Sequence, residues 1–137
     1  MASPLPEHQP VSLADAIGAT EPALSECLTL YIPGKDKDGN PIDQTPWIGE
    51  ALAILSQIGG RATILPAVEA AWLNHETGRL IQDSVVLAYA HVDPEHFETS
   101  LGWLRGFLHR LGRQTNQAEV VFEFADWLYK IRHFDRD

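Results

Sequence analysis

The chain has 137 residues, 45% of them apolar and 21% charged, which is the composition of one globular domain and not of a disordered chain. Nineteen acids against ten Lys and Arg leave a net charge of −9, and that argues against direct nucleic-acid binding, which rests on cations neutralising phosphates. No apolar run reaches the roughly 18 residues a bilayer span needs, and the opening MASPLPEHQP has neither the basic start nor the apolar stretch of a secretory signal.

Taken in chain order, residues 1–25 read as an arm. Pro4, Pro6, Pro10 and Pro22 preclude a long regular element. Ser12 can still cap a short helix that has Asp15 in its first turn. The body, residues 26–137, begins at Cys27, a lone cysteine that rules out an internal disulfide and makes the reducing cytoplasm the expected compartment. Its neighbour Glu26 would raise the pKa of its thiol, so it reads as a small residue at a strand start, not as a nucleophile. Leu28-Thr29-Leu30-Tyr31-Ile32 alternates as a half-buried strand does, and residues 33–44 (PGKDKDGNPIDQ) are turn chemistry throughout.

A helix is expected from Thr45 as N-cap and Pro46 in the first turn to the Gly59-Gly60 stop. A short strand over 61–65 should end at Pro66, followed by a hairpin of 70–73 with 80–92, the latter central in the sheet. A second helix should start at Asp93-Pro94, bury Phe97, Leu101, Leu104, Leu108 and Leu111, and close at Gly112. Residues 120–124 and 127–132 complete the chain as two strands around a tight turn. The predicted class is α+β: a ferredoxin-like β-α-β-β-α-β two-layer sandwich with an antiparallel sheet and an extra C-terminal strand. The helices would cover one sheet face and leave Tyr31, Trp72, Tyr89, Trp127 and Tyr129 on the other. Bare aromatic area of that kind usually marks an interface. A homodimer is therefore expected, with Tyr31, Tyr89, Trp127 and Tyr129 at its seam.

The segment from Gly59 onward resembles a group of small uncharacterised bacterial proteins. They share a Gly-Gly-x-Ala-Thr strand start, a Trp before a hairpin and a Gly-Arg-x-Thr-Asn-Gln run before the last strands, here at 59–63, Trp72 and 112–117. The resemblance extends over about residues 26–135. It implies the ferredoxin-like fold, carries no activity, and leaves residues 1–25 outside.

Several catalytic and metal motifs fail on inspection. Asp36-Lys37-Asp38-Gly39-Asn40 looks like a calcium loop, but Pro41 and Trp47 stand where such a loop needs Gly and Glu. His75-Glu76-Thr77 has no second His-x-Thr to make a two-histidine phosphoesterase. His96 and His109 are too far apart on their helix to share a metal, and Gly59-Gly60 precedes a strand where a phosphate loop should precede a helix. No metal and no cofactor are expected, and no catalytic set is assigned. The best candidate for ligand binding joins Trp72 and His75 to Arg113, Asn116, Gln117 and Glu119, since Arg offers a planar fork and Asn and Gln add donors and acceptors. The same run also reads as helix termination.

The leading functional reading is a non-catalytic, accessory or inhibitory partner protein acting through the sheet. The acidic front, eight acids against two bases in residues 1–60, would steer a basic protein partner. The alternative is a small enzyme or ligand-sensing module whose polar pocket lies around His75 and the Arg113–Glu119 segment.

Overall fold

The computed structural model describes residues 12–20 and 25–136. The arm expected over 1–25 falls largely outside the described residues. Within it, Ser12 accepts the Asp15 N–H at 3.3 Å and caps the single turn α1 (Leu13–Ile17), whose side chains are not buried.

In β1 (Cys27–Ile32), Leu28, Leu30 and Ile32 are buried and alternate with partly exposed residues. Helix α2 (Thr45–Gly59) turns Ala51, Ile54, Leu55 and Ile58 inward and ends on Gly60 at φ 78°. Its N-cap is Gln44, not Thr45. The Gln44 amide makes no cap bond. It donates instead to the carbonyls of Ile32 and Ser84, at 2.9 and 3.0 Å.

Strand β2 (Thr63–Asn74) corrects the sequence reading, in which Pro66 ended one strand and residue 70 began another. Proline lacks an N–H, yet it interrupts the pairing only locally: the register with β3 (Arg79–His91) shifts between Leu65 and Val68 and then resumes to Asn74. Helix α3 (Pro94–Gln114) is capped by Asp93, which accepts the Glu95 N–H at 3.0 Å. It runs past Gly112 to a Thr115 cap. Gly112 has a different job from the expected stop, for a Cβ there would lie 2.1 Å from the ring of Phe134, which packs on the helix. The expected stripe is buried at Leu104, Leu108 and Leu111 and packs on the core at Phe97, with one departure and one addition. Leu101 is 42% exposed, while Phe107, absent from that stripe, is fully buried. Strands β4 (Val120–Phe124) and β5 (Trp127–Ile131) form the closing hairpin.

The described residues thus make an α+β fold of three helices and a five-stranded antiparallel sheet in the order β2-β3-β1-β4-β5. β1, not β3, holds the middle. Helices α2 and α3 pack on one face, enclosing Leu30, Ile54, Leu55, Phe107 and Leu111 at zero exposure. No helix among the described residues is long and apolar enough to cross a membrane.

The aromatic side chains divide between the two faces. Tyr31 and Tyr89 alternate with buried Leu30, Ile32, Ala88 and Ala90, so they stand on the open face. Trp127 and Tyr129 pair with Phe124 and Phe122, both packed against the core, and so lie on the helix side. Tyr129 stacks on Phe122 at 5.0 Å. Their expected place on the bare face was wrong because the β4–β5 register, not the residue type, decides it.

Candidate functional site on the open face of the sheet

The β2–β3 hairpin outruns its neighbour. β1 stops at Ile32, opposite Val86, while β3 stays paired to β2 as far back as Arg79. The chain leaving β1 must cross β3 closely, and only glycine fits that crossing: a Cβ on Gly34 would sit 2.4 Å from the Ser84 carbonyl. The Gly34 N–H donates to the buried Asp83 carboxylate at 3.0 Å, tying loop to hairpin.

The rest of the loop is held by Asp36. Its carboxylate accepts the N–H groups of Asp38 and Asn40, both at 2.9 Å, and the side-chain amides of Asn40 and Asn116 at 3.3 and 3.4 Å. Burial pushes this carboxyl up, but the bonds from Asn40, Asp38 and Asn116 outweigh it and hold it below the usual range. Asn116, at φ 56°, also donates to Asp38 at 3.0 Å, and the Gln117 amide donates to the Lys35 carbonyl at 3.0 Å. The polar run after α3 therefore lashes two loops together and sets residues 117–121 facing the hairpin.

Between them lies a cleft of about 270 Å³ lined by Tyr31, Pro33, Ala70, Ala71, Trp72, Asp83, Val85, Gln117, Ala118, Glu119, Val120 and Val121. Trp72, Gln117 and Glu119, grouped from the sequence, do meet here. His75 is on the exposed turn at the hairpin tip, Asn116 bonds Asp36 and Asp38, and Arg113 donates to the Asp135 carbonyl, so none of these three lines the cleft. Tyr31 and Asp83 are the residues that the sequence reading left out of the site. A charged Asp83 inside the apolar run LIQDSVVLAY was the available signal.

Glu119 accepts from Arg132 Nε at 3.1 Å. Tyr31 donates its O–H to the carboxylate of Glu123, which stands beside the cleft on the same open face. That bond, with burial and the adjacent negative charge, pushes the phenol up to about 12, so Tyr31 stays neutral throughout the physiological range. Among the described lining residues there is no Ser, Cys or His to serve as nucleophile or imidazole base. The walls are mostly apolar. An indole, a phenol and carboxylates among these residues suit a flat ring that carries a positive centre nearby.

No protein-family model matches the sequence, and no curated protein does. Among solved structures the fold is similar to a phage SAM lyase in complex with S-methyl-5′-thioadenosine, with a TM-score of 0.60 and 14% identity over 80% of this chain and 90% of that one. It is also similar to a phage SAM lyase in its apo state, with a TM-score of 0.57 and 15% identity over 82% and 92%. At this identity the likeness is one of fold. It nonetheless overturns the leading expectation of a non-catalytic partner protein. That expectation took a sheet with one bare face to be a docking surface, yet the same fold, covered almost end to end, occurs in an enzyme.

Proposed function

We propose that this protein is a small enzyme of the SAM-lyase type, cleaving a sulfonium nucleoside in the open-face cleft and releasing S-methyl-5′-thioadenosine. The observation that carries the reading is the cleft itself: Trp72, Tyr31 and Glu119 converge on the open face of a fold shared with a lyase that binds this thionucleoside.

The chemistry is consistent with what the cleft offers. Attack of the substrate's own carboxylate oxygen on the carbon bonded to sulfur forms a carbon–oxygen bond as the carbon–sulfur bond breaks and sends its electron pair to sulfur. The sulfonium cation thus leaves as a neutral thioether, and the four-carbon side chain leaves as a lactone that keeps its ammonium. An apolar wall such as Val85, Ala118 and Val121 solvates the cation poorly and the neutral product well, which favours bond breaking. Trp72 supplies a face for the adenine ring and Glu119 an acceptor for a ribose hydroxyl or the substrate ammonium. Tyr31, held by Glu123, fixes one wall. The order β2-β3-β1-β4 supports the ferredoxin-like arrangement with β5 as an added edge strand, and the homodimer seam is proposed on the same open face, beside Tyr31 and Tyr89.

The test is incubation of the purified protein with S-adenosylmethionine and chromatography for S-methyl-5′-thioadenosine, with calorimetric titration of that product in parallel. Turnover should be lost in Trp72→Ala and Glu119→Gln and kept in His75→Ala. Binding without turnover would make the chain a ligand-sensing module. Neither binding nor turnover would end the reading.

A further inference from the structure

The protein's ten bases are not evenly occupied. Arg105 holds Asp135 at 2.7 Å, Arg132 holds Glu119 at 3.1 Å, and Arg110 is paired with Glu50. Lys35, Lys37 and Arg79 have no ion-pair partner among the described residues, and all three line one cleft of about 480 Å³ with Asn74, Thr77 and Gln82. The cleft sits at the outer end of the β2–β3 hairpin, where Arg79 to Gln82 and the turn residues meet the 33–44 loop, and it shares no lining residue with the cleft already described.

We propose that this second cleft binds a small phosphate-bearing anion. The cations are presented by a held backbone. The Lys35 carbonyl accepts from Gln117 at 3.0 Å, the Lys37 N–H donates to the Asn116 carbonyl at 3.0 Å, and Asp36 fixes the turn between them. Asn74 spends its side-chain oxygen on the N–H groups of Glu76 and Thr77, at 3.0 and 3.4 Å, which leaves its amide N–H₂ to donate. Arg79 brings the fork that matches two phosphate oxygens, and the lysines act as point charges. The lining's one acid, Asp38, already accepts from Asn116 at 3.0 Å. An adjoining hollow of about 390 Å³ shares Lys35 and Gln82 but brings in Glu69 and Asp83, whose carboxylates confine the anion to the second cleft itself.

The net charge of −9 decides the size of the ligand. Charges are screened beyond about 8 Å at physiological salt, so a small anion feels the three local cations. A long nucleic-acid backbone would run on over acidic surface. The expected ligand is therefore a diphosphate group, free or on a nucleoside.

Amide NMR titration of the full chain with sodium diphosphate at constant ionic strength tests this. Saturable shifts should appear at Lys37, Arg79 and Gln82. Lys37→Gln and Arg79→Gln should each weaken binding roughly tenfold, the loss of one charge-assisted hydrogen bond, while Lys130→Gln changes nothing. Both cleft residues are exposed, so melting temperatures should match the wild type. Tighter binding of ADP than of inorganic diphosphate assigns the site to a nucleotide, and equal binding assigns it to the diphosphate alone; either result supports the proposal. It is overturned by shifts that never saturate, by a double variant that binds as well as wild type, or by tighter binding of a single strand of about ten nucleotides.

Discussion

Replacing Glu123 with Gln removes one negative charge from beside the cleft and leaves an acceptor of the same shape for the Tyr31 hydroxyl. In the wild type the phenol is pushed from 10.0 to about 12 by the hydrogen bond to Glu123 first, burial second and the carboxylate's charge third. Two units correspond to roughly 2.7 kcal/mol of preference for the neutral phenol. Both side chains are partly exposed, so solvent screens this to about 1.5 kcal/mol of stability. Because the folded pKa is the higher one, that stability is fully present below pH 10 and is lost as the pH rises towards 12. The chain has three tyrosines, which makes the assay direct. Ultraviolet tyrosinate absorbance, followed from neutral to strongly alkaline pH with circular dichroism confirming the fold, should show one late-ionising tyrosine. In Glu123→Gln that late step should move down only in part, because the amide oxygen still accepts from the phenol and burial is unchanged, and in Tyr31→Phe it should vanish. Three tyrosines ionising together near pH 10 in the folded wild type would refute the reasoning.

Three further outcomes follow from contacts elsewhere. Gly34→Ala forces a Cβ to within 2.4 Å of the Ser84 backbone oxygen and should cost about 1–3 kcal/mol in denaturant unfolding, weakening thionucleoside binding as the cleft wall shifts; an unchanged midpoint would show that the crossing is not tight. Asp36 is held below the usual carboxylate range, so its contribution stands above about pH 4 and falls away on acidification through its lowered pKa, and Asp36→Asn should flatten that acid limb in pH-dependent melting. Phe107, on α3, is fully buried with its ring 6.0 Å from that of Trp47 on α2, so Phe107→Ala should cost about 3–5 kcal/mol, whereas Leu101→Ala, at a 42% exposed site, should cost under about 1 kcal/mol.

What could be read directly from the residues is local. The alternation of Leu28, Leu30 and Ile32 made a strand, Ser12 and Asp93 made caps, and Gly60 made a left-handed stop, because each depends on a few neighbouring backbone groups. Trp72, Gln117 and Glu119 could be grouped as polar or aromatic residues near turns. Arg113 and Asn116 were grouped with them on chemistry alone, and local spacing could not show that a carbonyl near the C-terminus and the 33–44 loop would claim them.

The amino-acid sequence by itself determined the element types, most of their boundaries and the acidic charge, since periodicity, capping and ionisation are properties of short stretches. Only the tertiary structure decided that β2 continues past Pro66, that Trp127 and Tyr129 face the helices, and that Tyr31 and Asp83 share a cleft with residues some 35–90 positions away. Strand register and long-range pairing set these, and a one-residue change in register moves a side chain to the other face of the sheet without altering a single local preference.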